Sequence, residues 1–233
     1  MKRFIGKIEE SQAIIEGEEL NHLRNVLRLT VGDEVIVVNG DGCDYVCQIT
    51  KIDKNIAKLS VKSKKNNKNN AKNQISLFIS AIKREKLELV VQKAVEQGIK
   101  NLYIFESQFS TMKLKGEKLV RYQKIIESAT KQCERADFMK IELLSFSQML
   151  EKFAAHKTRL FANEREGEEF DFASLKSAKD IAILVGCEGG FSAEEKQQIL
   201  QTKPENISLG TRILRAETAA ILLAGIASLF SGN

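Results

Sequence analysis

The sequence holds two histidines, four cysteines and a single proline in 233 residues, and the first two scarcities narrow its chemistry. Only His22 and His156 can offer imidazole, and the cysteines at 43, 47, 133 and 187 form no C-x-x-C pair. Zinc therefore has no ligand spacing to occupy, and the expectation is no metal. The same cysteines form no disulfide framework, which fits the reducing cytoplasm. Cys43 and Cys47 fall on one face of an expected strand, where they serve as small hydrophobes. No apolar run reaches bilayer length; residues 218–230 come nearest, at thirteen. The opening stretch MKRFIGKIEESQ has no apolar core of signal-peptide length, so a cytoplasmic protein with no membrane segment is expected. There is also no Ser-His-Asp set and no Cys-His pair, so the reactive species is expected to be a cofactor.

What is present is a globular composition, 43% hydrophobic and 29% charged, with a net charge of +5. The charge is graded along the chain. Residues 1–74 carry 13 Lys/Arg against 10 Asp/Glu, residues 75–140 carry 13 against 8, and residues 141–233 carry 10 against 13. The basic first two thirds suit either a polyanion or an ordinary solvated surface.

The stretch SKKNNKNNAKNQ, residues 63–74, has no large apolar residue and no acid, and reads as a linker or mobile loop. It divides the chain into domains expected at 1–70 and 75–233. Before it, short alternating stretches broken by Gly, Asn and Asp turns predict a small β-barrel. One helical interruption, GEELNHLRNVLRL, turns Leu20, Leu23 and Leu27 inward and sets Asn21, Arg24 and Arg28 on another face. Two guanidiniums on one ridge suit phosphate or base edges, and an amphipathic surface helix gives the same pattern. After the linker, apolar strands alternate with helices such as KREKLELVVQKAVEQG and EKLVRYQKIIESATKQCER. That order predicts an α/β domain with a mostly parallel sheet, whose ligands gather at the strand carboxyl ends.

Three such ends stand out. Ile181–Val185 runs into Gly186 and then Gly189-Gly190, after which Ser192 and Glu195 form a capping box. Adjacent glycines let backbone approach a ligand, although the motif is neither G-x-G-x-x-G nor a Walker loop. RLFANERE delivers Phe161, Ala162 and Asn163, and ISLGTRILRAET delivers Leu209 and Gly210 before a closing, almost wholly apolar helix. Arg212, Arg215 and Glu217 crowd the mouth of that helix, where charge is costly unless paired or used.

GCEGGFSAEE followed by ISLGTRILRAETA resembles the paired C-terminal motifs of the RsmE family of ribosomal RNA methyltransferases, within the SPOUT superfamily. NHLRNVLRLTVGDEVIVVNGDG, KLELVVQKAVEQGI and YQKIIESATKQCER extend the resemblance, in order, over essentially the whole chain. The resemblance implies an N-terminal PUA-like β-barrel that binds RNA. It also implies a C-terminal SPOUT α/β domain, with a parallel sheet and a trefoil knot, and a homodimer built through the knot. The implied reaction is S-adenosylmethionine-dependent methylation of uracil N3 in the decoding region of 16S ribosomal RNA, on the small ribosomal subunit. The other readings are a non-catalytic RNA-binding or ribosome-assembly protein of the same fold, and a SPOUT methyltransferase acting on transfer RNA.

By resemblance, the cofactor site comprises Phe161, Ala162, Val185, Gly186, Gly189, Gly190, Leu209, Gly210, Ile213, Leu214 and Thr218. Arg215 is expected at the target base, with Glu188 and Glu217 as further catalytic candidates; an Arg215–Glu217 pair bracing the fold is the structural alternative. RNA contacts are expected from Arg24, Arg28, Asn25, His22 and Arg135. The chain departs from the family pattern at Cys187, where the family has proline, and at Gln97, where it has leucine. Within ESQFST, Phe109 stands where the family has arginine.

Overall fold

The computed structural model describes residues 1–114, 116 and 119–233. They form two compact units: Met1–Asn70 together with Thr130–Phe138, and Ala71–Ala129 together with Met139–Asn233.

The first unit is a six-stranded sheet of β1 (Arg3–Ile5), β2 (Lys7–Glu9), β3 (Gln12–Glu16), β4 (Glu34–Val38), β5 (Cys43–Ile52) and β6 (Ile56–Asn66). The strand order is β1-β4-β5-β6-β3-β2, and only the β1–β4 pair is parallel. Along β5, Cys43, Tyr45, Cys47 and Ile49 all turn inward, as period-two alternation requires. They join Phe4, Ile15, Val35, Val37 and Leu59 in one apolar core. Burial there pushes the Cys47 thiol up to about 11, leaving it protonated and inert at neutral pH.

The helical interruption departs from its expected geometry. A short helix, α1 (Gly17–Asn21), passes into a π-helical turn over His22–Val26, where the Leu27 amide reaches back to the His22 carbonyl. Leu20 and Leu23 remain buried, so the inward stripe holds. Arg28 lies beyond the turn with φ of +54°, so Arg24 and Arg28 do not share one α-helical ridge. The wider π winding and the left-handed residue break the i, i+7 relation on which that ridge depended.

The boundary between the units falls within residues 63–74, after Asn70, but the residues before it are held by hydrogen bonds. Ser63–Asn66 pair with β5, and the side chains beyond them close hydrogen bonds. The Asn70 side-chain oxygen accepts from the amides of Ala136 and Asp137, while its Nδ2 donates to the Gly42 carbonyl. Asn67 reaches the Glu134 carbonyl in the same way. Asparagine-rich composition imitates a linker because the partners of these amides are distant in sequence.

The second unit is built on β7 (Gln74–Ser80), β8 (Asn101–Phe105), β9 (Lys140–Leu144), β10 (Thr158–Ala162), β11 (Asp180–Val185) and β12 (Glu205–Ile207). Their order is β12-β10-β11-β7-β8-β9, and every pair is parallel. The central strands β7 and β11 are buried on both faces, which is why they read as unbroken apolar runs. Helices α2 (Arg84–Glu96), α4 (Phe146–Ala154), α5 (Ala193–Gln201) and α6 (Ala216–Ser231) belong to this unit, as does α3 (Leu119–Gln132) up to Ala129. The first two residues of the helix expected from 117 lie outside the described residues. Capping boxes start α4 at Ser145/Gln148 and α5 at Ser192/Glu195.

The closing helix α6 is not covered on every side. Ala220, Leu223, Ala224 and Ala227 are fully buried, whereas Leu222, Leu229 and Phe230 are exposed, Leu229 by 81%. No helix of the described residues is long and apolar enough to cross a membrane.

Candidate active site

The carboxyl ends of β10 and β11, and the chain beyond β12, surround a cleft of about 550 Å³. Phe161–Arg165 form one wall, Val185–Phe191 a second, and Leu209 with Arg212–Ala216 a third. Of the residues expected to hold a cofactor, Phe161, Ala162, Val185, Gly186, Gly189, Gly190, Leu209, Ile213 and Leu214 all line this cleft. Gly210 and Thr218 are not among the lining residues. Gly210 makes the turn before α6 with φ of +107°, and Thr218 is exposed on the first turn of that helix.

Gly189 shows why glycine is needed. A Cβ placed there would lie 2.7 Å from the Cβ of Phe109, closer than real side chains approach. Behind it, Cys187 Sγ donates to the Phe109 carbonyl at 3.1 Å, tying the double-glycine loop to the loop after β8. The thiol does by hydrogen bonding what proline does by fixing φ: it restrains the loop.

The charges at the mouth of α6 separate into two groups. Arg215 is exposed on the cleft wall, and no ion pair holds its guanidinium among the described residues. Glu217 is 8% exposed and does not pair with Arg215. Its partner is Lys86 of α2, whose ammonium lies 3.2 Å from Glu217 Oε1 and 3.4 Å from Glu188 Oε1. The second oxygen of Glu217 is buried without a hydrogen-bond partner. Lys86 thus joins the double-glycine loop to the start of α6. Sequence reasoning missed it, because one lysine among KREKLEL carries no local mark. Arg165, Arg212 and Lys196 also line the cleft, Lys196 paired with Glu166 at 2.7 Å, so that with Arg215 three arginines face Glu164 and Glu188 there.

Glu106 directly follows β8. The Leu114 amide holds its carboxyl below the usual range against the opposing effect of burial, and Lys113 adds to the lowering. Among the described residues no group of three or more His, Cys, Asp or Glu is arranged to hold a metal ion.

The expected RNA-binding residues fall in the first unit with different exposures. Arg24, Asn25 and Arg28 are exposed, although Arg24 donates to the carbonyls of Asp53 and Lys54 and Asn25 to Asn21. His22 is half-buried beside Phe4. Arg135 requires correction as a surface contact: it is 2% exposed and makes a bidentate pair with Asp137, both bonds 3.0 Å. A buried, forked guanidinium of this kind braces Thr130–Phe138 within the first unit.

An all-parallel α/β unit with a glycine-lined strand-end cleft, accompanied by a small curled sheet, matches one class of protein. The family model for an RNA methyltransferase domain matches residues 68–228, and that for an RNA methyltransferase PUA domain matches residues 15–62. The class is thus an RNA methyltransferase with a PUA domain. The chain is 34% identical over 208 residues to ribosomal RNA small subunit methyltransferase E of Rickettsia conorii, covering 87% of this chain and 83% of that protein. It is 28% identical to the Bacillus subtilis protein of the same name, over 92% of this chain and 89% of that one. Among solved structures, a probable rRNA-methyltransferase from Porphyromonas gingivalis superposes with a TM-score of 0.88 at 26% identity, covering 100% and 99% of the two chains. The chain belongs to the ribosomal RNA small subunit methyltransferase E family.

Proposed function

We propose that the cleft binds S-adenosylmethionine and that the enzyme methylates N3 of one uridine in the decoding region of 16S ribosomal RNA. The observation that carries this reading is the convergence of nine expected cofactor residues, from three separate strand ends, on one cleft. Its volume suits a small-molecule cofactor. Its glycines expose main-chain groups, with Gly190 at φ of +69°. A member of the family, the Neisseria gonorrhoeae ribosomal RNA small subunit methyltransferase E, has been solved bound to S-adenosyl methionine, with a TM-score of 0.85 at 23% identity and coverage of 96% and 95%.

When bound, S-adenosylmethionine supplies a methyl activated by its sulfonium, so the chain needs no nucleophile of its own. Uracil N3 lies between two carbonyls and must lose its proton to attack. Arg215, exposed on the cleft wall, is suited to stabilise negative charge growing on the uracil oxygens. Glu188, also on the wall, is the proton acceptor in this reading, and Lys86 orients it. Glu217, nearly sealed from solvent, anchors Lys86 from the other side and does not meet the base.

The first unit holds the RNA through exposed Arg24, Arg28 and Asn25, with His22 beside them. The exposed Leu222, Leu229 and Phe230 of α6 support a homodimer through that helix, and the family resemblance supports a trefoil knot behind the cleft. The substrate in this reading is the cytoplasmic small ribosomal subunit.

The test is to map modified uridines in ribosomal RNA from a strain lacking the protein. Loss of one N3-methyluridine, restored by the wild-type gene, supports the reading. An unchanged ribosomal RNA map overturns it, and a loss confined to transfer RNA reassigns the substrate. Calorimetric titration with S-adenosylmethionine separates an enzyme from a non-catalytic assembly protein.

A further inference from the structure

The loop after β8, residues 106–110, is fixed from three directions. The Ser107 amide donates to Ser110 Oγ at 2.8 Å, closing the turn on itself. Both hydroxyls also meet Ser80 Oγ at the carboxyl end of β7, Ser107 at 2.6 Å and Ser110 at 3.0 Å. The Gln108 amide donates to Glu195 Oε1 in the first turn of α5 at 2.8 Å. Cys187 holds the Phe109 carbonyl from the double-glycine loop. All of these bonds restrain the loop's backbone or its serine hydroxyls. The one large apolar side chain that the loop leaves open is Phe109, 46% exposed, its Cβ lying against the cleft residue Gly189.

We infer that Phe109 is a stacking platform for an RNA base at the edge of the cleft. The inference rests on reading the cleft as a site of RNA methylation. A ring on a rigid loop loses little conformational freedom when a flat partner lies on it, because only two side-chain torsions remain to be fixed. Bases taken out of a stack are held in this way on aromatic faces. The surroundings favour a base over an apolar protein surface: three arginines, Arg165, Arg212 and Arg215, line the cleft against Glu164 and Glu188, while Lys196 is paired with Glu166 at 2.7 Å, a balance suited to a polyanion.

The experiment measures binding of unmethylated 16S ribosomal RNA to the full-length protein, separately from methyl transfer. Phe109→Ala is expected to weaken RNA binding about tenfold. Its S-adenosylmethionine affinity should stay within about twofold of wild type, with the thermal midpoint unchanged. Phe109→Tyr should bind RNA as wild type does, and Phe109→Leu, apolar but not flat, should bind as poorly as the alanine variant. Full RNA affinity in Phe109→Leu overturns stacking in favour of apolar bulk. Unchanged RNA affinity in Phe109→Ala overturns the proposal outright, as does a change confined to cofactor affinity or to molecular mass in light scattering. If the wild-type protein transfers no methyl group to ribosomal RNA while Phe109→Ala still weakens RNA binding, the assigned reaction fails and the stacking platform stands.

Discussion

Lys86 illustrates how one residue acquires a role from residues far along the chain. Its ammonium faces Glu188 and Glu217 together, so replacing it with methionine leaves two neighbouring carboxylates without their shared cation. Lys86→Met is expected to lower the rate of methyl transfer at least tenfold with the fold retained, and Lys86→Arg to recover much of it. Steady-state kinetics alongside circular dichroism would decide this; unaltered kinetics in the methionine variant would remove Lys86 from the site. Arg215→Ala should abolish most methylation while S-adenosylmethionine still binds by calorimetry, and near-normal turnover would return Arg215 to a structural role. Gln97 makes the opposite case. Its Oε1 is buried without a hydrogen-bond partner, and its Nε2 lies 3.0 Å from where a Cβ on Gly225 would stand. Gln97→Leu removes this unsatisfied buried polar group. The expected gain is about 1 kcal/mol, read as a higher urea midpoint at unchanged slope.

Elements whose signals are local were legible in the sequence, and those whose partners are remote were not. The α5 start was readable because Ser192 and Glu195 sit three residues apart and cap each other's amides. Glu195 also takes the Gln108 amide, a contact no local pattern announces. Ser192→Ala is expected to cost about 1 kcal/mol in denaturant unfolding, as loss of an N-cap usually does. A change below a few tenths would show that tertiary packing alone sets the helix start. The boundary within 63–74 is legible in composition, but the order of its asparagines is not, for the complementary reason. Asn70 gains its order from Ala136, Asp137 and Gly42. The π turn at His22–Val26 was equally hidden, since a hydrophobic stripe at Leu20 and Leu23 satisfies both windings.

Across the whole molecule, charge decides how the protein responds to salt and acid. With a net charge of +5, binding to RNA should weaken as salt rises. Replacing both Arg24 and Arg28 by alanine is expected to reduce the slope of log affinity against log salt by about 1 to 2, on the order of 0.7 per lost phosphate contact to a single strand. An unchanged slope would take these residues out of the RNA interface. Acid should destabilise the fold through paired carboxylates. Glu88 is held below its ordinary value of 4.5 chiefly by its hydrogen bond to Arg121, with Arg84 adding to it, and Glu106 by the Leu114 amide. A depressed folded value means that the unfolded chain binds more protons, so this stability is complete above the unfolded value and is lost as pH falls through the folded one. Glu106→Gln should therefore be less stable than wild type at pH 7, and the difference should shrink below about pH 4.5. A difference that stays constant with pH would show that Glu106 does not contribute as a charge.

The sequence by itself determined the alternation of strands and helices, the three glycine- or small-residue strand ends and the family motifs that gather there. Each of these depends on neighbours within a few positions: period-two and period-3.6 burial, a cap three residues from its partner, a glycine where the turn before α6 requires φ of +107°. Only the tertiary structure decided that Glu217 pairs with Lys86 and not with Arg215, and that Arg135 is a buried brace. It alone also showed that Cys187 and three serines lock the loop carrying Phe109. The reason is physical. What a charge or a hydroxyl does is set by whichever group lies within about 3 Å of it, and in a parallel sheet those groups arrive from strands separated by whole crossover helices.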